Sequence, residues 1–287
     1  MIKKGKKREL LLGFSPCPND TAIFHGLVHG LVDTGGFNFR ERLEDVQTLN
    51  EMALRGELDV VKVSFHAFGH LRKDYVCLRS GAALGFGCGP LIVAREDGHA
   101  VPDNAPQKIA IPGGLTTANL LLLLYDPSLK KSAKMEAMVF SDIMPAVSEG
   151  RADWGVIIHE GRFTYKRHGL KRVLDLGKWW EKETGCPIPL GCIAAKRSLG
   201  KAALLKIERA LRDSVLMGLR EPGESRDYIK LHAQEMETRV IRKHIGLYVN
   251  KDTIELSEEG QKAITLLMKK GEEAGLFAPS RARLFVG

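Results

Sequence analysis

The residue most able to do chemistry is His159, which ends the apolar run of "VIIHEG" at 156–161. An imidazole held at the end of a buried strand can act as a general base near neutral pH. Glu160 follows at once, but in extended geometry it would point the opposite way, so it is not expected to orient the ring. The His-Glu pair resembles half of a zincin helix. The second His is missing and Gly161 breaks the pattern, so no zinc is expected there. His25 with His29, and His66 with His70, have the i, i+4 spacing that could chelate a metal. The sequence places no carboxylate or cysteine as a third ligand, so both pairs read as helix-surface residues and no metal is expected.

Two loops add to this. In "SPCPND" (15–20) Cys17 stands between two prolines, after an apolar run and before a helix-like one. A thiol at a helix start can be activated, yet no base partner is evident, and Cys17 reads as a small wall residue. Asn19 could offer its amide to a ligand, and Asp20 or Thr21 is expected near the helix N-cap. In "PGGLTTAN" (112–119) Gly113 and Gly114 allow close backbone approach. Thr116 or Thr117 could cap the next helix, followed by Ala118, where free N–H groups favour an anion such as a carboxylate. No Lys follows, so this is not a Walker loop. "GFGCG" leads into Pro90 and a strand, which excludes a dinucleotide fingerprint.

These loops need a frame. "ELLLGFS", "FNFRERL", "LDVVKVS", "YVCLRS" and "GPLIVAR" read as strands, separated by helical patterns such as "VQTLNEMALRG" and "FHAFGHLRKD". A second series follows the polar stretch 96–107, a linker: "KIAIPG", "EAMVFS", "ADWGVIIH", "KRVLDLG" and "GCIAAKRS" as strands, with "TTANLLLLLY", "DIMPAVSEGR" and "FTYKRHG" as helices. From about residue 200 the pattern is helical. β-α-β alternation predicts an α/β fold with largely parallel sheets. "RGELDVVKVSFHA" (55–67) and "EGRADWGVIIHEG" (149–161) match in plan, which predicts two similar lobes. The expected division is 1–95 plus 196–287 for lobe one and 96–195 for lobe two, with ligands in the cleft at the carboxyl ends of the strands.

Composition limits the partners. The chain has 287 residues, 44% hydrophobic and 27% charged, as in an ordinary soluble globular protein. Of the net charge of +8, five charges come from Lys3, Lys4, Lys6, Lys7 and Arg8; the remainder carries +3. The tail reads as a solubilising end, and the mildly basic body suits a small anionic substrate. There is no zinc-finger or aromatic-basic RNA pattern, so no nucleic-acid partner is expected. No apolar run approaches the roughly 20 residues needed to span a bilayer, so no membrane partner is expected. "ELLLGF", interrupted by Glu9, is too short for a signal peptide. Five cysteines at irregular spacing argue for reduced thiols and a cytoplasmic location. A homodimer is left open.

"GFSPCPNDTAIFHGLVHG", "VSFHAF", "IPGGLTTANLLL" and "VIIHEGRFTY" closely resemble the 1,4-dihydroxy-6-naphthoate synthase family of the futalosine route to menaquinone. The resemblance covers most of residues 9–200 and weakens across the C-terminal helices. Ala22 departs from it, standing where an aromatic is expected after "CPNDT". The resemblance implies a periplasmic-binding-protein-like fold of type II used as a cytoplasmic enzyme. It implies a carbon–carbon lyase that converts cyclic dehypoxanthinyl futalosine to 1,4-dihydroxy-6-naphthoate, with no metal or organic cofactor. It further implies His159 as the base and Ser64 and Thr117 as substrate contacts. The loop residues Thr116, Ala118, Gly114, Asn19 and Cys17 are expected beside them in the substrate site. Two other readings stay open: chorismate dehydratase of the same route, and a non-enzymatic solute-binding protein.

Overall fold

The computed structural model describes residues 7–96, 106–233 and 237–287. The basic residues before Lys7 and most of the 96–107 linker lie outside that range.

Lobe one opens with β1 (Arg8–Phe14), α1 (Pro18–Val28), β2 (Phe37–Leu43), α2 (Val46–Leu54), β3 (Val60–Ser64), α3 (Phe65–Leu71), β4 (Tyr75–Cys77) and β5 (Ala83–Gly85). Lobe two comprises β6 (Leu91–Arg95), β7 (Lys108–Ile111), α4 (Thr117–Tyr125), α5 (Leu129–Ser132), β8 (Lys134–Ala137), α6 (Phe140–Ser148), β9 (Trp154–Ile157), α7 (Gly161–Thr164), β10 (Leu170–Asp175) and α8 (Leu176–Thr184). The chain then returns through β11 (Ile188–Lys196) to α9 (Lys201–Arg220), α10 (Arg226–His232), α11 (Thr238–Tyr248), α12 (Lys251–Ile254) and α13 (Glu258–Glu273). The helical region expected beyond residue 200 is divided into these five helices.

The two sheets repeat one plan. The first has the order β2-β1-β3-β11-β4, with β5 also on β11; the second, read from its other edge, is β8-β7-β9-β6-β10. In each, the second, first and third strands run parallel, then one antiparallel strand intervenes. That strand is the one that has just crossed between lobes. The sheets are therefore mixed rather than largely parallel, and the expected boundaries move. Leu91–Arg95 pairs with β9 and β10 and belongs to lobe two, while Ile188–Lys196 pairs with β3, β4 and β5 in lobe one. The crossings thus lie at Gly89–Pro90 and near Pro187. Gly89 passes so close to Gly177 that a Cβ on it would lie 2.3 Å from the Gly177 Cα.

The matching sequence stretches do the same work in both lobes. Asp59 accepts a hydrogen bond from the Leu11 amide, and Asp153 accepts from the Gln107 and Lys108 amides, so each aspartate ties the third strand to the first. Apolar residues line both sides of each sheet, as central strands require. In lobe one, Leu10, Leu12, Phe14 and Val60 face α1 and α9, while Val61 and Val63 face the opposite core. That second core continues through Leu120–Leu122 of α4 into lobe two and takes in Ile264 and Leu267 of α13. No helix among the described residues is long and apolar enough to cross a membrane.

Candidate active site

Between the lobes lies a cavity of about 90 Å³. Its wall is drawn from the ends of strands in both sheets: Ser15, Asn19 and Asp20 after β1, Lys62 to Ser64 in β3, Thr116 to Ala118 at the start of α4, and Ile158 and His159 after β9. Leu190 and Gly191 of β11 and Tyr248 of α11 add to it, together with Val46, Leu49, Ala83, Cys88 and Pro90.

His159 is held by an unusual backbone. Its φ is +53°, the only positive value at a non-glycine among the described residues. A side chain there carries strain that the surrounding structure must override. The strand expected to run through His159 stops at Ile157, and the Gly161 amide bonds back to the Ile158 carbonyl at 3.2 Å. The turn brings Glu160 to the same side as His159, correcting the alternation expected of an extended chain. The His159 ring lies parallel to His244 within 1°, at 5.6 Å between centroids, with Phe140 and Tyr248 also against it. Burial lowers the pKa of His159; Glu160 and Asp20 pull it up and Lys62 pushes it down again. The net direction is downward, so the ring is a neutral imidazole at pH 7.

The loop "SPCPND" is built around Asp20. Its Oδ1 accepts from Lys62 Nζ at 2.7 Å and Asn19 Nδ2 at 2.8 Å; its Oδ2 accepts from Ser15 Oγ at 2.8 Å and the Ser15 amide at 3.3 Å. Asp20 is thus a fully bonded carboxylate rather than a helix cap, and Cys17 takes the N-cap position with no side-chain cap bond. Cys17 does not line the cavity. Burial, with Glu160 near, pushes its thiol well up, so it is not a thiolate at neutral pH. Asn19 does line the cavity, but its amide is spent inside the protein, with Oδ1 2.7 Å from His244 Nε2.

The expected Ser and Thr positions converge as well. Ser64 Oγ accepts from Asn50 Nδ2 at 3.3 Å, which leaves its own hydrogen for a ligand. Thr116 is the N-cap of α4: its Oγ1 accepts from the Asn119 amide at 3.3 Å and donates to Gly113 at 2.7 Å. Thr117 Oγ1 accepts from the Phe65 amide at 2.8 Å and donates to Leu190 at 2.5 Å, so it staples the lobes together. Thr117 and Ala118 begin α4 at the cavity wall, where helix-terminal N–H groups favour an anion. Gly114 is exposed and lies off the cavity. The glycine the geometry requires is Gly113, at φ +137°, where any Cβ would collide with Gln47 of lobe one.

Four participants were not foreseen. Lys62 left one trace, a lone cation inside the buried run "VVKVS". Tyr248 and His244 come from α11 and left none. Arg162 joins the crossing by donating to the Gly89 carbonyl and to Asp175 Oδ2 at 2.8 Å. His159, Glu160 and His244 each place one donor atom within 4.8 Å of the others. The three are not drawn in to the roughly 3.3 Å that separates ligands about a tetrahedral zinc, so we assign no metal here. The other histidine pairs meet rings instead: His25 and His29 contact Tyr228, and His66 and His70 contact Phe277.

The sequence pattern of a family described as menaquinone biosynthesis matches residues 10–273. A Thermus thermophilus protein named 1,4-dihydroxy-6-naphthoate synthase is 46% identical over 96% of this chain and 99% of its own length. One of the same name from Streptomyces coelicolor is 44% identical over 93% of this chain and 94% of its own. Among solved structures, an Archaeoglobus fulgidus protein aligns at TM-score 0.86 and 32% identity, covering 96% of this chain and all of the other. The alkanesulfonate-binding protein of Xanthomonas axonopodis pv. citri aligns at TM-score 0.69 and 13% identity, covering 98% and 97%. That likeness concerns the fold alone, which is the periplasmic-binding-protein fold.

Proposed function

The chain belongs to the menaquinone-biosynthesis family and is a lyase of that route, and from this premise we propose its substrate and its base. The substrate is cyclic dehypoxanthinyl futalosine. The products are 1,4-dihydroxy-6-naphthoate and the sugar-derived fragment, and the base is His159.

The observation that carries this reading is a neutral imidazole fixed in a left-handed turn at the wall of an inter-lobe cavity. The reaction needs a C–H proton removed and a carbon–carbon bond broken. The proton passes to the His159 nitrogen. The pair left behind spreads over the ring oxygens and becomes a π bond of the forming aromatic ring as the carbon–carbon bond breaks; the pair of that bond leaves with the fragment, which takes up a proton in return. A neutral ring of lowered pKa is available for the first step across the physiological range. The start of α4 suits the substrate carboxylate, and the Ser64 hydroxyl and the Lys62 ammonium suit developing enolate oxygens. No metal or organic cofactor enters these steps. The five unpaired cysteines suit a reducing cytoplasm.

The cavity holds only about 90 Å³, below the several hundred Å³ of an ordinary small-molecule site. A bicyclic substrate therefore needs the lobes to part and close around it, which also excludes water from the carbanion. The test is incubation of the purified protein with cyclic dehypoxanthinyl futalosine and, separately, with chorismate, with products followed by chromatography. Naphthoate from the first, lost in His159→Asn, is the expected result. Turnover of chorismate alone, or full activity in folded His159→Asn, overturns the reading.

A further inference from the structure

His244 sits on the inner face of α11 at 1% exposure, and the steps above do not use it. Its hydrogen-bonding state follows from its neighbours. Asp20 is a carboxylate that only accepts, so Asn19 turns its Nδ2 to Asp20 and its Oδ1 to His244. His244 Nε2 therefore carries a hydrogen, and in the neutral ring Nδ1 is a bare lone pair. It faces Glu160 Oε2 at 3.6 Å, and neither buried atom has a hydrogen-bond partner. Two buried acceptors facing each other leave both unsatisfied, at a cost that one proton between them removes. A small side-chain rotation closes 3.6 Å to hydrogen-bond length.

We propose that His244 is a positioning residue that shares one proton with Glu160, so that His159 stands beside a neutral pair and not beside a bare carboxylate.

This deepens the reading of His159 as the base and rests on it. Imidazolium with carboxylate, or imidazole with carboxylic acid, both sum to zero charge. Without that proton Glu160 would be an anion one residue from the base. An opposite charge that close raises an imidazole pKa by about one to three units and so works against the lowering that burial supplies. The other groups around the trio are already balanced. Asp20 and Lys62 pair with each other, and Arg162 pairs with Asp175. Cys17 and Tyr248 are kept neutral by burial. Burial also disfavours charge on His244 itself, helped by His159 and Lys62.

The experiment titrates the His159 ring nitrogens by ¹⁵N–¹H NMR in the wild type, His244→Gln, Glu160→Gln and the double variant, with His159→Asn giving the assignment. The kcat/KM pH profile is recorded in parallel. His244→Gln should move the His159 titration up by about one to three units and carry the pH limb with it. The double variant should return both to the wild-type position, which a packing role for His244 would not do. Glu160→Gln alone should leave His159 nearly where it was, because in the wild type that charge is already cancelled. This variant decides the matter even if His244→Gln does not fold. A drop of about a unit or more in Glu160→Gln, or a His159 titration unmoved in folded His244→Gln, overturns the proposal. A moving NMR titration with no matching limb in activity would leave this inference standing and remove His159 as the base.

Discussion

Lys62 Nζ lies 2.7 Å from Asp20 Oδ1 at the cavity wall, with both side chains almost wholly buried. Breaking such a pair by removing one partner strands a charge and typically costs about 3–5 kcal/mol. Asp20→Asn and Lys62→Met should each lose stability of that order in urea denaturation. The double variant, with no buried charge left, should recover most of it. A double variant as unstable as the two single losses added together would show that the two groups are not coupled.

His159 gives a pH dependence of definite sign. Only the neutral ring is a base, and burial places its pKa below the ordinary value of about 6.5. kcat/KM should therefore be level near pH 7 and fall as pH drops through a point below about 6.5. An ordinary imidazole would place the limb near about 6.5; the enclosed ring moves it down. His159→Asn should lose about 10²- to 10⁴-fold in turnover and show no such limb. A wild-type limb above about 7 would contradict this electrostatic account.

Cys17 should prove dispensable for chemistry. Its thiol is buried, protonated and off the cavity. Cys17→Ala is expected to keep at least about a tenth of wild-type turnover, a loss under about 1.4 kcal/mol in transition-state terms. Steady-state assays of the folded variant decide it, and a loss on the order of a thousandfold would make the thiol a participant.

Thr117 tests closure against direct contact. Thr117→Val leaves the buried Phe65 amide without its acceptor, at a cost of about 1–3 kcal/mol. Because that bond joins the two lobes, the closed form should be less populated. Small-angle scattering should show a larger radius of gyration without ligand, and substrate binding should weaken while saturated turnover changes little. Unchanged scattering with lost binding would mean that the hydroxyl touches the substrate.

Local pattern disclosed most of the elements and singled out His159. Apolar runs covered on both faces, punctuated by glycine and proline, marked nearly every strand and helix, because burial and backbone preference act on neighbours in the chain. The match between residues 55–67 and 149–161 disclosed the two-lobed plan, since each lobe ties its third strand to its first with an aspartate. His159, Ser64, Thr116, Thr117 and Ala118 were readable as strand-end and helix-start residues, and all of them line the cavity.

Tertiary structure decided what these side chains do. Asn19 and Thr117 have hydroxyl or amide groups fit for a ligand, yet each is used by a residue far along the chain, His244 in one case and Phe65 with Leu190 in the other. His159 leaves the strand geometry through one left-handed residue, which turns Glu160 to the same side and undoes the alternation that sequence reasoning assumed. The sheet to which each crossing strand belongs was likewise fixed by pairing between distant segments, since Leu91–Arg95 and Ile188–Lys196 read simply as strands on their own. Short-range preference can say that a strand forms and where it ends. Which side chains meet across a cleft depends on contacts between segments that no local pattern encodes.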